Sequence, residues 1–392
     1  MKIFKELFSE FYSNNYLVWL LFFPLILDVF YIHFHDSNNG MLLLGGGVML
    51  VGIISFYRFT KYRTKASVDN KIKAWLFLYL MGTLGIYYTS QSAMLLGVYS
   101  FILLYLIILI LIKCPTNQDI NKSLGIFLKI LFFTVLLSLF LYAILPPGNF
   151  TETIHPSRST LFNDLIPRLH GIYTGPGMFG FVGSVIAIYF SQQNKGRFSS
   201  FIVLTGLCAV ILSDSRSALA GLLISNIMVI TYYFYKKIKI DRVHYFIFFI
   251  GLFHLMSHNL EGFSHREQIW NEIVNDSVSN EISAENIDTE YMLQKKKSDL
   301  TTMKGTKVAH NIFLQIKKDA NTLMMTYYML VYFFLFVILI KNRSLLGITI
   351  SSSVITFSMF EYGLIPSKLN TWNMLLIFSL LISFKPSQEK LT

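Results

Sequence analysis

Long stretches of this chain are almost free of charge, and its polar residues gather in the gaps between them. A helix needs about 20 apolar residues to cross the hydrocarbon core of a bilayer. Twelve such runs can be placed, at approximately 16–35, 41–57, 74–90, 93–112, 124–145, 175–191, 199–213, 216–235, 243–258, 322–340, 344–360 and 371–384, the seventh and twelfth being short. Most connections between them are brief. Two are not: Pro146 to Thr174, where Pro146-Pro147-Gly148 stops the fifth helix, and a longer mixed-charge segment from about Asn259 to Asn321. The longer one carries helical spacing at Arg266-Glu267-Gln268-Ile269-Trp270 and at Ile312-Phe313-Leu314-Gln315-Ile316. A connection of that length in a membrane protein is functional or disordered. No internal repeat is visible. The expected fold is all-α: a polytopic transmembrane bundle of about 12 helices, one integral membrane domain over 1–392, with a large extracytoplasmic loop.

Composition agrees with the pattern. Of 392 residues, 54% are hydrophobic and only 14% charged, against roughly 25% charged in a soluble domain. Mean hydropathy is +0.53, too apolar for an aqueous fold. The net charge of +11 would suggest nucleic acid in a soluble protein, so its distribution decides the matter. Cytoplasmic loops collect Lys and Arg. With both termini inside, the inner segments hold 20 basic and six acidic residues, whereas the outer ones hold 12 basic and 15 acidic. The charge is thus a topology signal and needs no nucleic acid to explain it. The first run lacks a small-residue cleavage site after it and reads as a retained helix rather than a signal peptide. Two cysteines, Cys114 in a charged linker and Cys208 in an apolar run, offer neither a disulfide framework nor a thiolate metal site.

On this topology both long segments face outward, and the residues with chemical potential fall with them. Ser213-Asp214-Ser215-Arg216 lies where the seventh run ends and the eighth begins. Ser213, Asp214 or Ser215 can cap the new helix. Arg216 is anomalous there, because a cation adds to the positive end of the helix dipole unless an anion comes to rest on it. A guanidinium beside free backbone donors can cradle a pyrophosphate; equally, it can snorkel to lipid phosphates or pair with Asp214. His310-Asn311 supplies a general base with an ordinary pKa of about 6.5, and Asn311 can orient the ring or a substrate hydroxyl, although a lone histidine is commonly a surface or capping residue. Arg168 and His170 precede Gly171, Gly175 and Gly177 in the shorter loop, where glycines permit tight turns. Arg266 opens the longer loop. Arg168, Arg216, Arg266 and His310 share the outer face, an arrangement that suits transfer from an anionic, membrane-bound donor.

Arg168 with its following glycines, Ser215-Arg216 opening a helix, Arg266 four residues before Trp270, and His310-Asn311 before an apolar helical start together resemble the O-antigen ligase and polymerase superfamily over roughly residues 165–330. The resemblance implies a metal-independent, inverting glycosyltransferase without cofactor in a bacterial cytoplasmic membrane, using undecaprenyl-pyrophosphate-linked glycans as donor and acceptor. It implies His310 as base, Arg216 and Arg266 on the donor pyrophosphate, and Arg168 on donor or acceptor, with Ser215, His170 and Asn311 lining the substrate site. A chain-length regulator, a flippase and membrane lipids are the implied partners. One departure is that Val274 to Asn280 replaces a Pro/Gly-containing stretch often found after the tryptophan. Polymerase is the expectation, because the compact outer loop and the Phe, Ile, Lys and Asn content resemble polymerases more than ligases. A ligase, transferring glycan to lipid A core, is the alternative.

The chemistry also follows without the resemblance. Nucleotide sugars and ATP are absent outside the cytoplasm, so glycan transfer there draws on a preactivated donor whose departing charge two or three arginines can stabilise. His254 and His258, spaced i,i+4, lack an obvious third ligand, and no metal is expected. A lipid-linked oligosaccharide flippase or another transporter is the alternative from a different class. Carriers place polar residues near the midplane and show repeat symmetry, whereas here Asp28 and Lys129 are the isolated charges within spans and do not lie at one depth.

Overall fold

In lipid every backbone N–H and C=O must bond within its own segment, so uninterrupted apolar runs fold as helices. The computed structural model describes residues 70–89, 117–144, 151–152, 168–173, 175–193, 196–237, 239–256, 311–360 and 371–382. These are mostly helical: α1 (Asn70–Thr89), α2 (Asn117–Ile144), α3 (Pro176–Gln193), α4 (Arg197–Ser213), α5 (Arg216–Tyr235), α6 (Arg242–Met256), α7 (Ile312–Asp319), α8 (Thr322–Lys341), α9 (Leu345–Phe360) and α10 (Thr371–Ile382). The runs expected at 16–35, 41–57 and 93–112 lie outside the described residues, as do Asp28 and Cys114. The other nine coincide with helices. Three helices are long and apolar enough to cross a membrane, at Asn121–Ile144, Arg216–Tyr235 and Thr322–Lys341.

Two details depart from the expectation. Helix α2 starts seven residues before the apolar run, at Asn117, since hydropathy registers the lipid-soluble part of a helix and not its polar first turns. The shorter of the two long connections also carries a small antiparallel pair, β1 (Thr151–Glu152) with β2 (Arg168–Leu169), in which Thr151 faces Leu169 and Glu152 faces Arg168.

Small residues set the helix spacing. A Cβ on Gly183 of α3 would lie 2.6 Å from Gly206 O of α4, and one on Gly206 would meet Gly183 O at 2.6 Å. The two backbones touch, as in small-residue crossings of membrane helices. Gly221 of α5 likewise abuts Ser353 of α9. Buried hydroxyls and amides then tie the helices across: Gln192 Nε2 donates to Thr349 Oγ1 (3.0 Å) and Ser225 Oγ to Thr349 O (2.8 Å). Asn226 of α5 donates to His244 O of α6 (2.8 Å) and accepts from His244 Nδ1 (3.1 Å). Helix α1 packs antiparallel on α8, with Trp75 Nε1 donating to Val331 O (2.9 Å) and Tyr327 OH to Leu78 O (2.6 Å). Large apolar side chains such as Phe140, Phe249 and Phe333 point out of the bundle, the inverse of a soluble protein's surface.

These contacts define two ends. The α3–α4 and α8–α9 connections meet at one, where Gln192 reaches Thr349, and α5 runs toward the same end into its own turn with α6. Arg197, Lys236, Lys237, Lys239, Arg242, Lys341 and Arg343 all fall there. The opposite end holds the α4–α5 break and the close of α9.

Candidate functional site

The α4–α5 break is built from three consecutive residues. Ser213 ends α4, and Asp214 then adopts a left-handed conformation (φ 48°, ψ 38°) with its N–H on Ile211 O. Asp is one of the residue types enriched in this region. Ser215 returns to extended backbone and caps α5, its Oγ accepting from Ala218 N (3.3 Å) and bonding Ser217 Oγ (2.9 Å). Of the three residues able to cap this helix, the fold uses Ser215. Arg216 follows as the first helical residue, partly buried at the positive end of α5.

Arg168 arrives at the same break from β2. Its Nε donates to Ser213 O at 3.2 Å and its Nη2 reaches Asp214 O at 3.4 Å. Those carbonyls lie at the end of α4, where a helix has acceptors without intrahelical donors and a partial negative charge. The guanidinium therefore caps α4 from outside the helix. Two cations meet at one break, one gripping its carbonyls and the other opening the next helix.

Behind Arg168 the chain makes a tight turn into the bundle. His170 Nδ1 donates to Tyr173 O (3.1 Å), and Tyr173 N returns to His170 O (3.1 Å). Gly171 has φ +59° and packs on Ser138 of α2, where any Cβ would collide. Ile172 N donates to Ser138 Oγ (3.3 Å), while the Tyr173 hydroxyl bonds Thr134. Burial raises the Tyr173 phenol above its ordinary value, with the Thr134 bond pulling weakly the other way, so it stays neutral. Ser138 lies six residues before the end of α2, about 9 Å down the helix. Non-helical backbone at such depth is tolerated where protein encloses it, as it encloses Leu169 and Tyr173 here.

Asn311 is the N-cap of α7. Its Oδ1 accepts from Phe313 N (3.0 Å) and Leu314 N (3.2 Å), and its Nδ2 donates to Met359 O (3.1 Å) near the end of α9. The carboxamide thus fixes the start of α7 and ties it to α9. Because Gly221 of α5 abuts Ser353 of α9 in antiparallel packing, Met359 and Arg216 lie toward the same end. The fold therefore gathers Arg168, His170, Ser215, Arg216 and Asn311 at one end of the bundle. His310 and Arg266 lie outside the described residues. Among the described residues no group of three His, Cys, Asp or Glu side chains is placed to hold a metal ion.

Sequence reasoning passed over Tyr173 and Ser138, which seat the turn, and the Asn226–His244 pair. Each is a polar residue in or beside an apolar run, and that interruption was the available signal.

The class these observations define is a helical protein with three helices long and apolar enough to cross a membrane and a polar helix break at one end of its bundle. No family of known proteins, no characterised protein and no solved structure matches the chain.

Proposed function

We propose that this chain is a membrane glycosyltransferase that polymerises undecaprenyl-pyrophosphate-linked oligosaccharide repeat units into O-antigen or capsular polysaccharide on the extracytoplasmic face of a bacterial cytoplasmic membrane. In this reading about twelve helices span the membrane, and both termini are cytoplasmic. The observation that carries it is the meeting of Arg168 and Arg216 at the α4–α5 break, with Asn311 at the same end and the lysine-rich turns at the other.

His310, the residue before Asn311, takes the proton of the acceptor hydroxyl. The acceptor oxygen attacks the anomeric carbon from the face opposite the leaving group, and the bond from that carbon to the pyrophosphate oxygen breaks. Configuration inverts, and the lipid pyrophosphate departs with the electron pair. Arg216, at the N-terminus of α5, and Arg266 stabilise that charge, as preorganised donors do where charge develops. Arg168 contributes by holding the break that presents Arg216.

The test is the surface-glycan pattern of a strain lacking the chain, with the lipid-linked glycan of the same cells analysed in parallel. Polymerase predicts core bearing one repeat unit and no ladder. Bare core with long glycan on the lipid carrier indicates a ligase acting on lipid A core. An unchanged ladder, in a strain without a second such enzyme, rejects both and favours a flippase or another transporter.

A further inference from the structure

The end of the bundle away from the proposed site carries an unusual projection. Asn226, midway along α5, meets His244 at the start of α6. Nine residues of α5 run past that hydrogen bond to Tyr235, a length of about 13 Å, with Tyr233 packing edge-on against the His244 ring at 5.7 Å. The overhang finishes in Tyr232-Tyr233-Phe234-Tyr235-Lys236-Lys237, and Lys239 and Arg242 follow on the return to α6. Phe234 is 80% exposed and Tyr235 78%. Lys236 Nζ lies 5.7 Å from the centre of the Tyr235 ring, within cation–π range. Asp241 is the one carboxylate of this turn.

The backbone carries a second signal. Lys237 has φ 53°, and Arg343, in the α8–α9 turn at the same end, also has φ 53°. Both occupy the left-handed position after a helix where glycine is the usual residue. Two turns that glycine would serve with less strain each hold a cation instead.

We propose that the overhang is a binding surface for anionic phospholipid headgroups of the adjacent leaflet. Exposed aromatic rings sit at headgroup level in membrane proteins, and the lysines that follow them directly in the chain reach the phosphates. The charge complementarity is direct: three lysines and an arginine face the leaflet with a single carboxylate among them. This inference rests only on the helices crossing a membrane and stands or falls separately from the glycan chemistry.

The experiment is native mass spectrometry of the full-length protein in detergent, titrated with phosphatidylglycerol or with phosphatidylcholine. The wild type is expected to retain phosphatidylglycerol in preference. In the variant K236Q/K237Q/K239Q/R242Q that preference falls by about fivefold for each charge removed, whereas K317Q/K318Q at the opposite end leaves it unchanged. No preference in the wild type overturns the proposal without recourse to any variant. So does equal retention by wild type and quadruple variant, or an equal loss in K317Q/K318Q. Displacement of the lipid by millimolar inorganic phosphate would assign the surface to free phosphate and overturn the lipid assignment.

Discussion

Asn311 performs two separable tasks, and substitution can take them apart. Its Oδ1 caps α7 through two backbone N–H groups, and its Nδ2 holds Met359 O. Asn311→Ala removes both. The cap is worth about 1 kcal/mol and the hydrogen bond to Met359 about 1 kcal/mol, so the alanine variant should lose about 2 kcal/mol of local stability. Asn311→Asp keeps the cap and gains a favourable charge at the start of α7, worth about 0.5 kcal/mol, but it loses the donor to Met359. Its net cost should be about 0.5–1 kcal/mol on the same reasoning. The assay is hydrogen exchange of the α7 amides in detergent-solubilised protein, with Phe313 and Leu314 as reporters. Exchange should accelerate about 30-fold in the alanine variant and about threefold in the aspartate variant, since 1.4 kcal/mol is tenfold. Unchanged exchange in Asn311→Ala, or faster exchange in Asn311→Asp than in Asn311→Ala, refutes the division of roles. If His310 is the base, the same variants should slow transfer in the same order, because a displacement of about 1 Å at a reacting group can cost about 100-fold.

Further outcomes follow from the geometry and from the proposed chemistry. Arg168→Ala should cost about 2 kcal/mol through the lost charge-assisted bonds to Ser213 and Asp214 carbonyls, read as a lower unfolding midpoint in detergent, with Arg168→Lys intermediate. Gly183→Leu should be more severe, because its side chain would enter the space of Gly206 O and Ala209; overpacking costs about 1–3 kcal/mol or more, and size-exclusion chromatography should show the monodisperse fraction collapse while membrane insertion persists. His310→Ala should abolish glycan transfer at wild-type abundance. The wild-type rate should fall as pH drops below about 6.5, since a general base acts only when unprotonated, and a flat profile through that range would argue against a histidine base.

How much of this was legible in the sequence depended on range. The nine described apolar runs were readable as helices because each carries its own signal, with no neighbour needed to interpret it. The apolar run at 124–145 does not mark the first turns of α2, because Asn117 to Lys122 are mostly polar residues of a continuing helix. Ser215 was among the caps expected, since capping is a local matter decided within four residues. Arg168 was expected on donor or acceptor; its guanidinium also grips carbonyls 45 and 46 residues away, a contact that no local pattern encodes. Asn311 shows both sides: its cap is local and could be read, but its bond to Met359 spans 48 residues and could not. The two-residue β pair left no trace because it is too short to produce an alternating pattern.

The seat of Tyr173 and Gly171 against α2 also imposes an order on assembly. A transmembrane helix becomes stable once it is in the bilayer, one segment at a time. The chain from Arg168 to Tyr173 has no such independence, since its bonds lead to Thr134 and Ser138 behind it and to Ser213 and Asp214 ahead of it. It can settle only after α4 has been made and has docked on α3. Until then the segment has nothing to close on. Its closure marks the moment when separate helices become one protein, and the arginine that closes it sits in the proposed site.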